Sequence, residues 1–205
     1  MKIVFIIIIL VFLYYQYKFI NKVSKNIEIL QANNPEKNKF EEILSEKNPA
    51  VFTNILNDIN LTKKNIKSYF YYYLPPFYLN YNFELLLNKQ DTETKLVLQN
   101  SFRYIMYQMK GIKKIILFNP KEINFLYPNY KKNESNVNFW NYDSTVYPEF
   151  NKSSYLEVIL HPRQMIYIPH KWWFTTKTIT NSNSLVCQSE TIFSKILKKK
   201  KIESI

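Results

Sequence analysis

The segment Tyr107-Gln108-Met109-Lys110-Gly111-Ile112-Lys113-Lys114-Ile115-Ile116-Leu117-Phe118-Asn119-Pro120 decides how the rest of the chain is read. Two β-rich runs, Phe102–Met109 and Lys113–Phe118, meet in a hairpin at Gly111, the single glycine among 205 residues. A tight turn there calls for positive φ, which glycine adopts without steric penalty. Gly111→Val is therefore expected to disrupt folding. Asn119-Pro120 ends the second run, because proline has no amide hydrogen to give a sheet. Pro120–Leu126 reads as a helical turn.

Working outward, further short runs rich in β-branched and aromatic residues lie at Lys95–Leu98, Leu156–Leu160, Met165–Ile168, Trp173–Ile179 and Leu185–Ser189. Several alternate apolar with polar residues, and His161-Pro162 and Asn181–Asn183 supply turns between them. Many short strands at this spacing predict a sandwich or barrel rather than βαβ units. Upstream, Phe40–Leu44 reads as a short helix, Pro49–Phe52 as a first strand, and Thr62 as the N-cap of a helix from Lys63 to Phe70. Pro75-Pro76 breaks the aromatic patch Tyr69–Tyr81, so it is not one regular element and is expected to pack on a sheet.

Composition removes whole classes of site. One glycine excludes Gly-rich phosphate loops and dinucleotide fingerprints. One cysteine and two histidines exclude a disulfide framework and Cys/His zinc sites. Cys187, in an apolar run with no base nearby in sequence, reads as a buried structural thiol. His161 and His170 flank one strand and read as turn histidines; a metal site built on them would need a carboxylate such as Asp91 or Glu93. The excess of Lys, Asn, Ile and Tyr over Gly, Ala and Arg matches the codon bias of an AT-rich genome, such as those of large DNA viruses and some protists.

The two ends carry much of the net charge of +12. Ile3–Tyr15 is an uninterrupted apolar or aromatic run that extends to Ile20. At 1.5 Å per residue, about eighteen residues span roughly 27 Å, near the thickness of a thin bilayer. An uncleaved anchor is favoured over a signal peptide, because the first alanine, Ala32, is too distant for a small-residue cleavage site, and over a buried N-terminal helix. Lys18, Lys22 and Lys25 after the segment favour a single-pass membrane protein with a cytosolic body. The chain divides into an anchor over 1–22, a tether over 23–39, a domain over 40–193 and a basic tail over 194–205. Lys198–Lys201 in that tail suit a solvated terminus or anionic lipid headgroups. Nucleic acid is disfavoured, since the basic excess lies at the ends and not on a folded face.

Three segments, in order, resemble the JmjC-like cupin hydroxylases, especially the group that includes the asparaginyl hydroxylase acting on hypoxia-inducible factor. They are Tyr107–Pro120, similar to a Q-x-x-G-x-K-x-x-x-L-F-x-P motif; Val137-Asn138-Phe139 with Tyr147-Pro148-Glu149-Phe150; and Met165-Ile166-Tyr167-Ile168-Pro169-His170-Lys171-Trp172-Trp173, similar to L-Y-I-P-x-x-W-W. The resemblance implies a mainly β fold, a double-stranded β-helix (cupin or jelly roll) with flanking helices beside the N-terminal transmembrane helix. Family members hold Fe(II) through His-x-Asp/Glu and a distal His, leaving open positions for 2-oxoglutarate and oxygen. Counted back from Gly111, the His-x-Asp positions fall on Leu98 and Asn100, and the distal His on Phe174. The lysine that pairs with the 2-oxoglutarate carboxylate matches Lys113. The usual Gly-Asp before the Y-I-P strand is Arg163-Gln164, which departs from the family's turn. Trp172 and Trp173 are expected to close the barrel mouth.

The expectation is a membrane-anchored cupin-like domain without metal, cofactor or oxygenase chemistry, serving to bind a peptide, a protein or a small anion. The competing readings are a 2-oxoglutarate-dependent hydroxylase with displaced ligands and a membrane or nucleic-acid tether driven by the lysine tail.

Overall fold

Short apolar runs separated by turns fold into two six-stranded sheets facing each other. The computed structural model describes residues 2–24, 27–55 and 70–195. The larger sheet orders β1 (Leu30–Asn33), β2 (Ala50–Thr53), β10 (Met165–Ile168), β5 (Arg103–Lys110), β12 (Ser182–Thr191) and β3 (Tyr78–Asn88). The smaller orders β7 (Pro128–Asn129), β8 (Glu134–Ser135), β4 (Val97–Leu98), β11 (Trp173–Thr178), β6 (Lys113–Phe118) and β9 (Tyr155–Leu160). All pairings are antiparallel except β1 with β2. From β3 to β6 and again from β9 to β12 the chain steps from one sheet to the other at each connection, the winding of a jelly roll.

This winding corrects the reading of Gly111. β5 and β6 do not pair as a hairpin; they belong to different sheets, and Gly111-Ile112 is the corner between them. Gly111 has φ +73°. A Cβ added there would meet the Asn181 carbonyl oxygen and stand 2.8 Å from Ser182 Cα. Gln108 braces the corner, its amide donating to the carbonyls of Lys110 (2.7 Å) and Gly111 (3.1 Å). The Ile112 N–H donates to Thr180 Oγ1 at 2.9 Å, tying the corner to the turn between β11 and β12.

The space between the sheets is filled by Met106, Ile115, Leu117, Leu160, Ile166 and Val186 with their neighbours. The outer face of the larger sheet is covered by α2 (Lys37–Ser45) and by Phe70, Tyr73 and Leu74. Phe40, Ile43 and Leu44 recur at helical spacing and bury one side of α2. The aromatic patch thus packs on a sheet as expected; it also begins β3, an edge strand missing from the strand reading. The outer face of the smaller sheet is covered by Val137, Phe139, Leu126 and Phe150, so the middle resembling segment is a lid on this face.

The tether over 23–39 is corrected as well: Leu30–Asn33 pairs in register with Ala50–Thr53, and α2 begins at Lys37. The helix expected over Lys63–Phe70 lies largely outside the described residues, and the Lys198–Lys201 tail wholly so. α1 (Lys2–Asn21) is one continuous helix, and Val4–Asn21 is long and apolar enough to cross a membrane or serve as a signal sequence. Its C-terminal half does not stand free of the body. Ile20 is buried, the Phe12 ring lies 5.6 Å from that of Phe193, and Lys171 Nζ donates to Asn21 Oδ1 at 2.6 Å.

Candidate functional site

The family positions converge where β4 meets β11. Directly opposed residues of an antiparallel pair share a face. Phe174 opposes Val97 and packs in the interior, its ring 5.1 Å from that of Tyr104. Trp173 opposes Leu98, and both belong to the outer cluster beneath the lid. Leu98 therefore points out of the barrel, one residue out of phase with the position counted from Gly111. The paired tryptophans divide in the same way: Trp172 is an interior residue and Trp173 an outer one, both fully buried.

Beyond β4 the chain is locked by Gln99, a residue the sequence reading passed over. Its side-chain oxygen accepts from Ser101 N (2.6 Å) and Oγ (2.9 Å), and its amide donates to the carbonyls of Ser101 and Ile168, both at 3.0 Å. His170 Nδ1 lies 3.2 Å from the Ser101 carbonyl. Asn100 is half-buried between these contacts. His161 is an exposed turn residue on the other side of β10, and Glu93 pairs with Lys177 at 2.8 Å. Among the described residues no three His, Cys, Asp or Glu side chains converge.

At the Gly111 end the interior turns polar. Lys113 shares a face with Leu160 and Thr178, its pairing partners, and so points inward. It is 1% exposed, and Nζ donates to Asn88 Oδ1 at 2.8 Å. Burial lowers its pKa to about 8. Ser184 Oγ donates to Gln108 Oε1 at 2.7 Å, and the buried Ser182 Oγ has no hydrogen-bond partner among the described residues. Asn88, Ser182 and Ser184 escaped the sequence reading because they come from strands distant in sequence. Gln108 was visible in the quoted motif, although its bracing role was not.

Of two further buried groups, Cys187 was legible in kind and Tyr104 was not. Cys187 is buried against the larger sheet's outer cluster, and burial pushes its thiol up to about 12, as suits a structural cysteine. Burial and nearby Glu84 hold the Tyr104 hydroxyl protonated far above its ordinary range. On the open side of the barrel, a groove of about 420 Å³ runs between β1 and β9, lined by Gln31, Asn33, Thr53, Glu157 and Gln164 among others.

Residues 97–188, from β4 through most of β12, match the family model of the cupin-like domain. JmjC domain-containing protein D of Dictyostelium discoideum is 38% identical over 82 residues, 38% of this chain and 18% of that protein. HSPB1-associated protein 1 of Homo sapiens is 32% identical over 80 residues, 37% of this chain and 16% of that one. Lysine-specific demethylase 8 of Danio rerio is 30% identical over 90 residues, 42% of this chain and 22% of that one. The matched segment thus covers about a fifth of each relative's length or less. Strand winding, family model and relatives together support a cupin-like domain of the JmjC kind in this chain.

Proposed function

We propose that the chain is a membrane-anchored, non-catalytic cupin-like domain that binds a peptide or a small anion and runs no oxygenase chemistry. The observation that carries this reading is the Phe174 ring, packed against Tyr104 inside the barrel at the position where the resemblance implies the distal histidine. The rest of the donor set does not fit Fe(II) either. Leu98 and its inward neighbour Val97 have no donor atom, and Asn100 and Gln99 are neutral amides where an Fe(II) facial triad calls for a carboxylate. The reading keeps the likeness in motif order to the asparaginyl-hydroxylase group and sets the domain apart in chemistry.

Lys113 supports the anion-binding part of the reading. Its buried ammonium has a neutral amide as its hydrogen-bond partner, so a small carboxylate entering that end of the barrel would supply the missing charge. The groove between β1 and β9, walled by both polar and aliphatic side chains (Gln31, Thr53 and Glu157 beside Val51 and Val158) along two sheet edges, suits an extended peptide. The span over Val4–Asn21 supports the anchor.

The test is anaerobic loading of the full chain with Fe(II) and 2-oxoglutarate, followed by oxygen and a succinate assay. The expected result is no stoichiometric iron and no succinate above a protein-free control. Tight iron with turnover would establish a hydroxylase with displaced ligands.

A further inference from the structure

A cavity of about 290 Å³ lies where α1 meets the body, with roughly ten waters' worth of space at about 30 Å³ each. Its walls include Phe12 and Phe19 of α1, Leu44 of α2, Phe77, Phe102 and Phe193. Set among these apolar groups is Lys47, 4% exposed, with its ammonium 4.3 Å from the Phe19 ring centroid and 5.2 Å from that of Phe102. Glu41 also borders the cavity, but its carboxylate is engaged bidentately by Arg103, at 2.7 and 3.0 Å. Lys47 makes no ion pair or hydrogen bond through its ammonium among the described residues. Lys22 donates to the carbonyl of Ser45, another lining residue, at 3.1 Å. Lys47, Lys22 and Arg103 against Glu41 leave this end of the cavity net positive, and burial together with Arg103 and Lys22 lowers Lys47 to about 8.

The cavity is also graded. Phe19 and Phe12 are seven residues apart, about 10 Å along the helix. Lys47 sits on the Phe19 ring, whereas Phe12 meets Phe193 ring to ring. Charge at one end and hydrocarbon-like walls at the other match the two ends of an anionic amphiphile. A buried cation without a counter-ion is costly unless a ligand supplies the charge.

We infer that this cavity binds a phosphate-headed lipid, its headgroup on Lys47 and its acyl chain along Phe12 and Phe193. The site is separate from the barrel interior and stands whether or not the barrel holds a ligand.

The test titrates the full chain, in neutral maltoside detergent, with dioctanoyl phosphatidic acid, dioctanoylglycerol and inorganic phosphate, read by calorimetry. Phosphatidic acid is expected to bind saturably and one-to-one, with each of the other two about tenfold weaker or more. Lys47→Met should weaken phosphatidic acid by about tenfold. Phe77→Ser, at a side chain 81% exposed and so safe for folding, should weaken phosphatidic acid while leaving inorganic phosphate unchanged. Wild-type affinity in Lys47→Met would overturn the inference, as would inorganic phosphate binding as tightly as the lipid, which would assign the site to free phosphate. Should Lys47→Met not fold, unchanged phosphatidic acid affinity in Phe77→Ser would overturn it.

Discussion

At the scale of single residues, Gly111 and Arg163 show what glycine is needed for. Arg163 has φ +66°, the conformation of the glycine that the resemblance implies there, and the turn is intact: its N–H donates to the Gln108 carbonyl at 2.7 Å, and the Gln164 carbonyl accepts from Gln108 N at 2.9 Å. Lys171 does the same at φ +72°. A left-handed residue other than glycine costs about 1–2 kcal/mol, which a well-tied turn absorbs. At Gly111 the backbone of Asn181 and Ser182 occupies the Cβ position, and no rearrangement of a side chain relieves that. Gly111→Val should therefore yield no folded protein, whereas Arg163→Gly should keep or raise the melting temperature, by circular dichroism. The need for glycine at 111 was legible from its isolation in the sequence; the tolerance at 163 was not, because it depends on hydrogen bonds closed by distant residues.

Lys113 makes a prediction in pH. Its pKa falls from about 10.5 to about 8 on folding, so between those values the unfolded chain binds more protons and stability rises with pH. Lys113→Met lacks this titration. Its stability relative to wild type should be most favourable near neutral pH and should decline as pH rises from about 8 to about 10. Denaturant titrations across that range check the slope; a difference that does not vary with pH would mean that Lys113 is hydrated in the folded state.

Among elements, the legible strands were those with clean boundaries: β6, β10 and the start of β11 lie where β-rich runs bounded by turn residues predicted them. β3 was hidden because its sequence, YLNYNFELLLN, follows the Pro75-Pro76 break and its apolar positions merge into the aromatic patch. β1 was hidden because Leu30-Gln31-Ala32-Asn33, although it alternates apolar and polar, is only four residues long within a polar stretch; its place is set by β2. The run Lys95–Leu98 marked β4 but not which of its residues face inward, because two paired residues are too few to show a period of two. α2 is held by more than its apolar face. Its Glu41 pairs with Arg103 of β5, whose side chain is 6% exposed. Glu41→Gln would leave that guanidinium buried without a counter-charge. With the half-exposed carboxylate discounted, a loss of about 2–3 kcal/mol is expected in chemical denaturation.

The whole molecule is a barrel interior between two covered sheets, with an apolar helix leaning on one end. The resemblance implied the class of fold, a double-stranded β-helix, but not the winding at Gly111, where a hairpin was expected and the chain instead turns a corner from one sheet to the other. It could not give the filling of the interior, which depends on how Phe174, Tyr104, Trp172 and Met106 pack together. The apolar run of α1 was equally plain in sequence; its contact with Phe193 and Lys171 was not, because those partners lie at the far end of the chain.

On the proposed reading, Phe174, where the resemblance implies the distal metal ligand, is packed core. Phe174→Ala measures this most directly, through the unfolding free energy of the full chain in neutral detergent. A ring buried against Tyr104 and interior aliphatics predicts a loss of about 3–5 kcal/mol. A change within about 1 kcal/mol would overturn that reading, because it would mean that Phe174 borders open space with room for a metal-sized ligand.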